Sequence, residues 1–223
     1  MSAVETAAEQ AIEAFRRGDP VLIYDAIDRE GEVDLVYPAG SVEPRDVARL
    51  RNDAGGLICV ALGSDTADEF DLPFVADTID HPAADVEHLG YDERSSFSFT
   101  VNHRDTYTGI TDDDRALTIT GLADAADAAE LGAYDETDFA EEFRAPGHVH
   151  VLRAAPGLLA DRRGHTEFGV ALADRADLPP AVVVCEMLDD RTGGALSPED
   201  ATAYADRHDL VYVEGSDLID TLS

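Results

Sequence analysis

The chain has 223 residues, 44% of them hydrophobic, and a formal net charge of -32, and this supply of apolar side chains predicts one core-forming domain over residues 1–223. A surface this negative repels phosphate backbones, which argues against nucleic acid as a partner, and no stretch approaches the roughly 20 apolar residues of a membrane span. The N-terminus lacks a basic segment followed by an apolar one, so we expect a cytoplasmic protein that binds no membrane.

The first predicted element is a helix. Ser2 and Glu5 have the spacing of a capping box, which marks a helix start, and Gly18 is suited to end the helix. Apolar side chains recur at helical spacing at Val4, Ala8, Ala11, Ile12 and Phe15.

An acidic turn follows, between the apolar runs Val21–Tyr24 and Val33–Tyr37, which we interpret as the two strands of a hairpin with Gly31 in its turn. Four carboxylates surround one guanidinium, Arg29, in this segment: Asp28, Glu30, Glu32 and Asp34. Carboxylates this close repel one another unless a cation such as Mg²⁺ or Mn²⁺ neutralises them. The alternative is an acidic turn that is simply hydrated.

Pro44 suits the first turn of a helix that runs through Leu50, and Gly55-Gly56 closes that helix before a strand over Leu57–Leu62. Residues 77–94 mix proline, glycine and acids without periodicity, which predicts a surface insertion and favours a lid. Cys59 and Cys185 lie in apolar runs without metal-ligand spacing, so we expect two small buried thiols.

In the next strand, Phe97, Phe99 and Val101 alternate with polar residues as in a half-buried strand. It leads into Thr108–Thr111 and a helix that starts at Asp112–Arg115. The remaining predicted elements are a strand over His148–Leu152, a helix over Thr166–Ala176, a strand over Ala181–Cys185, a capped helix over Ser197–His208 and a strand over Leu210–Val213. This order of elements predicts an α+β fold, a single three-layer α/β/α domain around a mixed β-sheet.

The segment Arg162–Glu167 has the composition of an anion cradle. Arg162 and Arg163 supply planar donors for a phosphate, and Gly164 lets the backbone approach closely. Thr166 is placed to cap the helix that follows, whose N–H groups favour an anion. An exposed basic turn is the alternative, and His165 is either a metal ligand or an ordinary hydrogen-bonded histidine.

Three further residues are candidates for proton transfer. His148 and His150 share one face of a strand, and Glu186 follows a buried strand, where partial desolvation would raise its pKa toward a useful range. Each of them also has a purely structural interpretation, because strand histidines are often structural and Glu186 lies where the chain emerges into solvent.

The charge itself indicates adaptation to concentrated salt. All 16 basic residues are arginine, and self-repulsion among so many acids is screened near 1 M salt, where the Debye length is about 3 Å.

In the order of its motifs, the chain resembles the 3,4-dihydroxy-2-butanone 4-phosphate synthases of riboflavin biosynthesis, as a salt-adapted member of archaeal type. That family carries an Asp-Arg-Glu-Asn-Glu-Gly-Asp turn, and residues 28–34 keep every charged position, with Gly31 and Val33 as departures. The other matching segments are Gly55–Cys59, Thr108–Thr111, Pro146–Val149, Gly164–Glu167 and Val184–Glu186.

The resemblance implies a homodimeric lyase that converts D-ribulose 5-phosphate into L-3,4-dihydroxy-2-butanone 4-phosphate and formate, with two Mg²⁺ or Mn²⁺ ions per site. It implies that Glu30 and His165 are metal ligands and that Arg29 and Asp34 bind the sugar. The residues that it implies for the phosphate are Arg162, Arg163, Gly164, His165 and Thr166. His148 and Glu186 are the implied acid–base residues. Another metal-dependent phosphosugar isomerase or aldolase, or a non-catalytic phosphate- or nucleotide-binding module on a related scaffold, remains an alternative.

Overall fold

The computed structural model describes residues 5–25, 29–84 and 95–222. Within these ranges, seven strands form one sheet in the order β4-β5-β3-β6-β2-β1-β7. The strands are β1 (Val21–Tyr24), β2 (Val33–Pro38), β3 (Cys59–Leu62), β4 (Phe97–His103), β5 (Phe143–Arg153), β6 (Ala181–Glu186) and β7 (Val211–Glu214). The pairs β1–β7 and β3–β5 are parallel and the other four are antiparallel, so the sheet is mixed, as predicted.

Helices cover both faces of the sheet. They are α1 (Ala7–Arg16), α2 (Pro44–Arg49), α3 (Ser64–Glu69), α4 (Val75–Thr78), α5 (Asp112–Glu130), α6 (Glu136–Glu142), α7 (His165–Arg175), α8 (Pro198–His208) and α9 (Gly215–Leu222). One face packs on α1, α7 and α9, with Phe15 and Phe168 buried there, and each such side chain contributes about 2 kcal/mol by leaving water. The other face packs mainly on α2, α5 and α8. The three-layer α+β prediction is therefore confirmed.

The first helix begins later than the sequence pattern suggested. Thr6 is its N-cap: the Thr6 hydroxyl accepts the N–H of Glu9, and the Glu9 carboxylate accepts the N–H of Thr6. The prediction of a capping box from Ser2 to Glu5 was wrong in its position, because Glu5 lies outside the helix. Ser2 and Val4 lie outside the described residues.

The simple alternation in β4 was also wrong. The pairing of β4 with β5 shifts register between Phe97 and Thr100 and again between Val101 and Asn102. An extra residue in one strand turns the following side chains over, so Ser98 is buried while Phe99 is 36% exposed. Val101 is buried as expected.

The remaining elements lie where the patterns placed them, with shifted ends. Pro44 is the first residue of α2, and Ser197 is the N-cap of α8. Thr111 is the N-cap of α5, and its hydroxyl accepts the N–H of Asp114. Helix α4 and a short 3-10 turn over Pro82–Ala84 occupy the start of the predicted insertion, whose residues 85–94 lie outside the described ranges. No helix in the described part of the chain is long and apolar enough to cross a membrane.

Candidate active site

A cavity of about 450 Å³ lies on the α7 side of the sheet, between the start of β2 and the end of β6. Its lining carries seven acidic or basic residues from separate segments of the chain: Arg29, Glu30, Glu32, Asp34, Arg162, His165 and Glu186. All but Glu32 were predicted as site residues, so the acidic turn, the Arg162–Glu167 segment and the end of β6 converge on one cavity.

Sheet register explains why two of these carboxylates meet. In the antiparallel pair β2–β6, Asp34 lies directly opposite Glu186. Like charges at such a position repel, and the first turn of α7, with His165, lies against the same face. The positive end of that helix and the His165 ring offset part of the repulsion.

The acidic loop is held by a carboxylate at the end of β1. Asp25 is buried, and its two side-chain oxygens accept the backbone N–H groups of Glu30, Gly31 and Glu32 at 3.0, 3.0 and 3.1 Å. These bonds fix the loop so that the Glu30 side chain lies toward α7. Asp28 lies outside the described residues.

The His165 ring is oriented by the backbone. Its Nε2 atom lies 3.2 Å from the carbonyl oxygen of Ile23, and because a carbonyl only accepts, Nε2 carries a proton. The other ring atom, Nδ1, therefore lies 3.7 Å from Glu30 Oε2 and 3.5 Å from Asp34 Oδ1. Burial alone would lower the pKa of His165, but the negative charges of Asp34, Glu30 and Asp25 raise it to about 9.

Burial raises the pKa of a carboxylate, whereas it lowers that of a histidine. Burial raises the pKa of Asp34 to about 7, against the positive charge of His165 and with help from the neighbouring acids. Burial likewise raises the pKa of Glu32, whereas the nearby His165 ring lowers that of Glu30. Asp34 Oδ1 is buried and has no hydrogen-bond partner within the described residues. Such an atom is costly unless a ligand satisfies it.

Arg162 bridges two acids. Its Nη1 donates to Glu167 Oε2 at 2.7 Å, and its Nη2 lies 3.9 Å from Glu30 Oε1. Glu167 has no exposed surface, and its second oxygen accepts the N–H of Ala155 at 2.9 Å. The guanidinium is thus held at the cavity wall by a buried partner that sequence reasoning did not single out.

The start of α7 differs in one respect from the prediction. Gly164, and not Thr166, is the N-cap, and it has no side chain with which to cap. Thr166 lies inside the first turn, where it is buried and lines the cavity. A Cβ at Gly164 would lie 2.4 Å from Arg162 Nη1, so the guanidinium lies directly against the backbone of this glycine. Arg163 is exposed and does not line the cavity.

Glu186 is anchored to the chain segment before β3. Its Oε2 accepts the N–H of Leu57 at 2.7 Å, and its backbone oxygen accepts the N–H of Gly56 at 3.0 Å. The carboxylate is therefore oriented by the Gly-Gly segment that precedes the strand.

The two histidines of β5 have separate surroundings. His148 is exposed, does not line the cavity within one chain, and contacts Asn102. His150 is half-buried, stacks edge-on against Phe97, and has a pKa lowered by burial. The structure therefore does not bring His148 into the group formed by Glu30, His165 and Glu186 in a single chain.

Comparison with known proteins identifies the family. A family model described as 3,4-dihydroxy-2-butanone 4-phosphate synthase matches residues 9–221. The protein of that name from Archaeoglobus fulgidus is 47% identical over 221 residues, which cover 95% of this chain and 92% of that protein. Its counterpart from Methanothermobacter thermautotrophicus is 44% identical over 223 residues, covering 96% and 94% of the two chains.

This chain belongs to the 3,4-dihydroxy-2-butanone 4-phosphate synthase family. A crystal structure of a synthase in complex with two magnesium ions superposes with a TM-score of 0.81 at 32% identity, covering 97% of this chain and 96% of that one. The cation-free form of such a synthase gives a TM-score of 0.80 at 31% identity, with 98% of both chains covered.

The donor atoms in the synthase cavity fit a hard divalent cation. Asp25, Glu30 and His165 each offer one ligand atom, and these atoms lie within 4.8 Å of one another. Two carboxylates and one imidazole suit Mg²⁺ or Mn²⁺, and the Nδ1 atom of His165 faces the acids. The carboxylate of Asp25 already accepts three N–H groups. Glu30 and His165 are therefore the better ligands.

Besides Glu167, the sequence analysis did not assign Asp25 or Cys59 to the site. Asp25 follows the buried strand β1 as Glu186 follows β6, and the same signal would have found it. Cys59 is the small buried thiol that was predicted, only 2% exposed, and it also lines the cavity. Its pKa is raised well above the usual range, first by burial and then by the charge of Glu186.

Proposed function

We propose that this chain, as a single catalytic domain, converts D-ribulose 5-phosphate into L-3,4-dihydroxy-2-butanone 4-phosphate and formate for riboflavin biosynthesis. Membership of the synthase family supports the reaction. The observation that carries the proposal is the convergence of Glu30, His165, Arg162 and Glu186 on one cavity.

Glu30 and His165 hold the metal ions in this proposal, Mg²⁺ or Mn²⁺ with two per site. The ions, when bound, offset negative charge that develops on the substrate's oxygens. The chain's own contribution is to orient the two ligands: Asp25 fixes the loop that carries Glu30, and the carbonyl of Ile23 fixes the ring of His165.

Arg29 and Asp34 bind the sugar, because both line the cavity and the buried Oδ1 atom of Asp34 needs a donor such as a substrate hydroxyl. Arg162 and the first turn of α7, from Gly164 to Thr166, bind the phosphate, since guanidinium and helix N–H groups both favour an anion. Arg163 acts at the outer edge of this site, where its exposed side chain attracts the phosphate.

Proton transfer falls to Glu186 and His148. Removing a proton beside the ketose carbonyl gives an enediolate, and the later rearrangement with loss of formate needs further proton transfers in a pocket that excludes water. Ser95 and Ser96, which follow the predicted insertion, line the cavity.

The active form is proposed to be a homodimer. Strand β4 is an edge of the sheet, and beside it Leu57 and Phe99, 38% and 36% exposed, line an apolar cleft together with His150. A second copy would cover this edge and would bring an exposed His148 toward a neighbouring cavity. Light scattering in concentrated salt tests this proposal, and a fully active monomer would contradict it.

We also propose that the protein works in the cytoplasm of a cell that accumulates salt. The charge of -32 supports this proposal, because the self-repulsion of the folded state is screened only at high ionic strength.

A formate assay tests the reaction. We expect formate from ribulose 5-phosphate and Mg²⁺ in concentrated salt, none after chelation of the metal, and a loss of about 100-fold or more in Glu186→Gln. Glu214→Gln is the matched control, because Glu214 also ends a strand but is exposed and does not line the cavity. Conversion without formate would indicate an isomerase or aldolase, and binding without turnover a non-catalytic module.

Solvent deuterium exchange separates proton removal from the later steps. We expect slower exchange into ribulose 5-phosphate when Glu186 becomes Gln or His148 becomes Asn. Unchanged exchange in both variants would remove these two residues from the proposed chemistry.

A further inference from the structure

The His148 side chain has one well-defined partner, the buried amide of Asn102 at the end of β4. Asn102 is 2% exposed. Its Oδ1 atom accepts the backbone N–H of His148 at 2.8 Å, and its Nδ2 atom donates to the carbonyl oxygen of Thr108 at 3.4 Å. Nothing in the proposed reaction accounts for this amide.

These two backbone partners fix which way the amide points. Rotating it by half a turn would place Nδ2 against the N–H of His148, and Oδ1 against the carbonyl of Thr108. Two donors would then face each other, and so would two acceptors. Asn102 therefore has one stable orientation, with its Nδ2 atom toward the imidazole.

The contact with the ring then identifies its protonated atom. His148 Nδ1 lies 3.1 Å from Asn102 Nδ2 and 3.3 Å from Asn102 Oδ1. An amide nitrogen is always a donor. If Nδ1 carried a proton, that proton would therefore face another donor, Asn102 Nδ2, at 3.1 Å. In the neutral ring Nδ1 accepts from Asn102, and the proton resides on Nε2.

Two glycines and a bulge make room for this arrangement. The register of the β4–β5 pair shifts between Val101 and Asn102. This shift turns the Asn102 side chain toward His148. A Cβ on Gly147 would lie 1.9 Å from the carbonyl carbon of Val101. A Cβ on Gly109, whose φ is +89°, would lie 2.0 Å from Asn102 Nδ2. The Thr108–Thr111 segment is in turn tied to α5, because Asp114 accepts the N–H groups of Thr108 and Gly109.

We infer that Asn102 is a positioning residue that holds His148 in the Nε2–H form, so that the neutral ring presents a hydrogen-bond donor to the substrate and not a base. The inference rests on the proposed function only in so far as His148 reaches the substrate. It assigns the first proton to Glu186, and to His148 the role of donating to a substrate oxygen. The same assignment holds whichever subunit's cavity the ring enters.

Nitrogen NMR of the ¹⁵N-histidine-labelled protein tests the tautomer without any turnover. The signal of His148 is identified by its absence in His148→Asn. In the neutral ring, we expect a protonated Nε2 and an unprotonated Nδ1. A wild-type ring protonated at Nδ1 would overturn the inference.

Asn102→Asp replaces the amide nitrogen by an oxygen. The carboxylate still accepts the N–H of His148, but the donor beside Nδ1 becomes an acceptor and the bond to the Thr108 carbonyl is lost. We expect the tautomer to switch to Nδ1–H and kcat to fall by about 100-fold, at the lower end of what one positioned acid or base contributes, with KM nearly unchanged. An unchanged tautomer in this variant would contradict the role of Asn102.

A double-mutant cycle separates positioning from folding. If Asn102 acts through His148, Asn102→Asp costs almost nothing in the His148→Asn background. An equal loss in both backgrounds would overturn the inference, and Asn52→Asp, at an exposed site, controls for the added charge. Should Asn102→Asp fail to fold, the wild-type spectrum still decides the tautomer. Absence of formate from the wild type would count against the proposed function alone.

Discussion

Gly56 lies so close to Glu186 that a Cβ atom on it would be 2.4 Å from the backbone oxygen and 2.5 Å from Oε2 of that glutamate. Real Cβ contacts are never this short, so a side chain at residue 56 must displace the carboxylate. The Gly55-Gly56 pair therefore does more than end a helix, because its second glycine sets the position of a catalytic candidate.

Gly56→Ala should consequently lower kcat by about 10- to 100-fold, since small misplacements of a catalytic group have effects of this order. The steady-state rate of formate release measures it. Gly194→Ala is the control, because a Cβ there meets only Thr192 Oγ1 at 3.6 Å. Equal activity in the Gly56 and Gly194 variants would show that Glu186 tolerates the displacement.

Glu167→Gln should weaken phosphate binding although residue 167 never touches the substrate. The amide removes the charge that holds Arg162 at 2.7 Å, so we expect a higher KM for ribulose 5-phosphate and an unfolding free energy lower by about 1–3 kcal/mol. Steady-state kinetics and urea unfolding measure the two effects. The matched control is Glu13→Gln, whose partner Arg16 is 43% exposed, and which should cost at most about 1 kcal/mol. An unchanged KM in Glu167→Gln would mean that Arg162 keeps its place without this partner.

Asp25→Asn should reduce Mg²⁺ affinity through the acidic loop. An amide offers one acceptor where the carboxylate offers two, and its NH₂ group would face one of the N–H groups of Glu30, Gly31 and Glu32. We expect affinity to fall by about 10-fold or more, as when other supports of metal ligands are removed. Calorimetric titration with Mg²⁺ measures this, with Asp19→Asn, at an exposed ion pair, as the control. Wild-type affinity in Asp25→Asn would show that the loop is held by other contacts.

Local sequence was enough for those parts of the site that depend on neighbours in the chain. The hairpin around Gly31 and the first turn of α7 lie where glycine and apolar spacing placed them. The family motifs placed Glu30 and His165, and the structure brings these two residues together.

What the sequence could not supply depends on contacts between distant segments. The burial of Glu167 against Ala155 and the turn of Phe99 to the surface each follow from packing or register. No spacing rule within one segment encodes them. The contact of the Asn102 amide with His148 could not be predicted from the sequence either, because it joins two different strands.

Salt should stabilise the folded protein. With a net charge of -32, the repulsion among surface acids weakens as the Debye length falls from about 10 Å at 0.1 M salt to about 3 Å at 1 M. We expect the melting temperature to rise steeply over this range of NaCl. Sucrose, which is excluded from protein surfaces but screens no charge, is the control. A melting temperature independent of NaCl, or an equal effect of sucrose, would contradict the electrostatic explanation.

The two thiols should remain protonated and unreactive while the protein is folded. Burial raises the pKa of Cys59 and of Cys185 well above the usual range, and the thiolate is the reactive form. Iodoacetamide at pH 8 should therefore leave both cysteines unmodified in the native protein and alkylate both in guanidinium chloride, as mass spectrometry will show.

The raised pKa values of the two thiols predict that the folded protein becomes less stable at alkaline pH. Because the folded protein keeps these two protons while the unfolded chain releases them near pH 8.5, the unfolding free energy should fall as pH rises from about 8 to 9.5. Urea unfolding across this range measures the slope, and Cys59→Ala should reduce it in part, since Cys185 and the His165 imidazole, whose pKa is raised to about 9, also contribute. A slope unchanged by that substitution would assign the alkaline loss to other groups, and rapid alkylation of native Cys59 would show that the cavity admits solvent to its thiol.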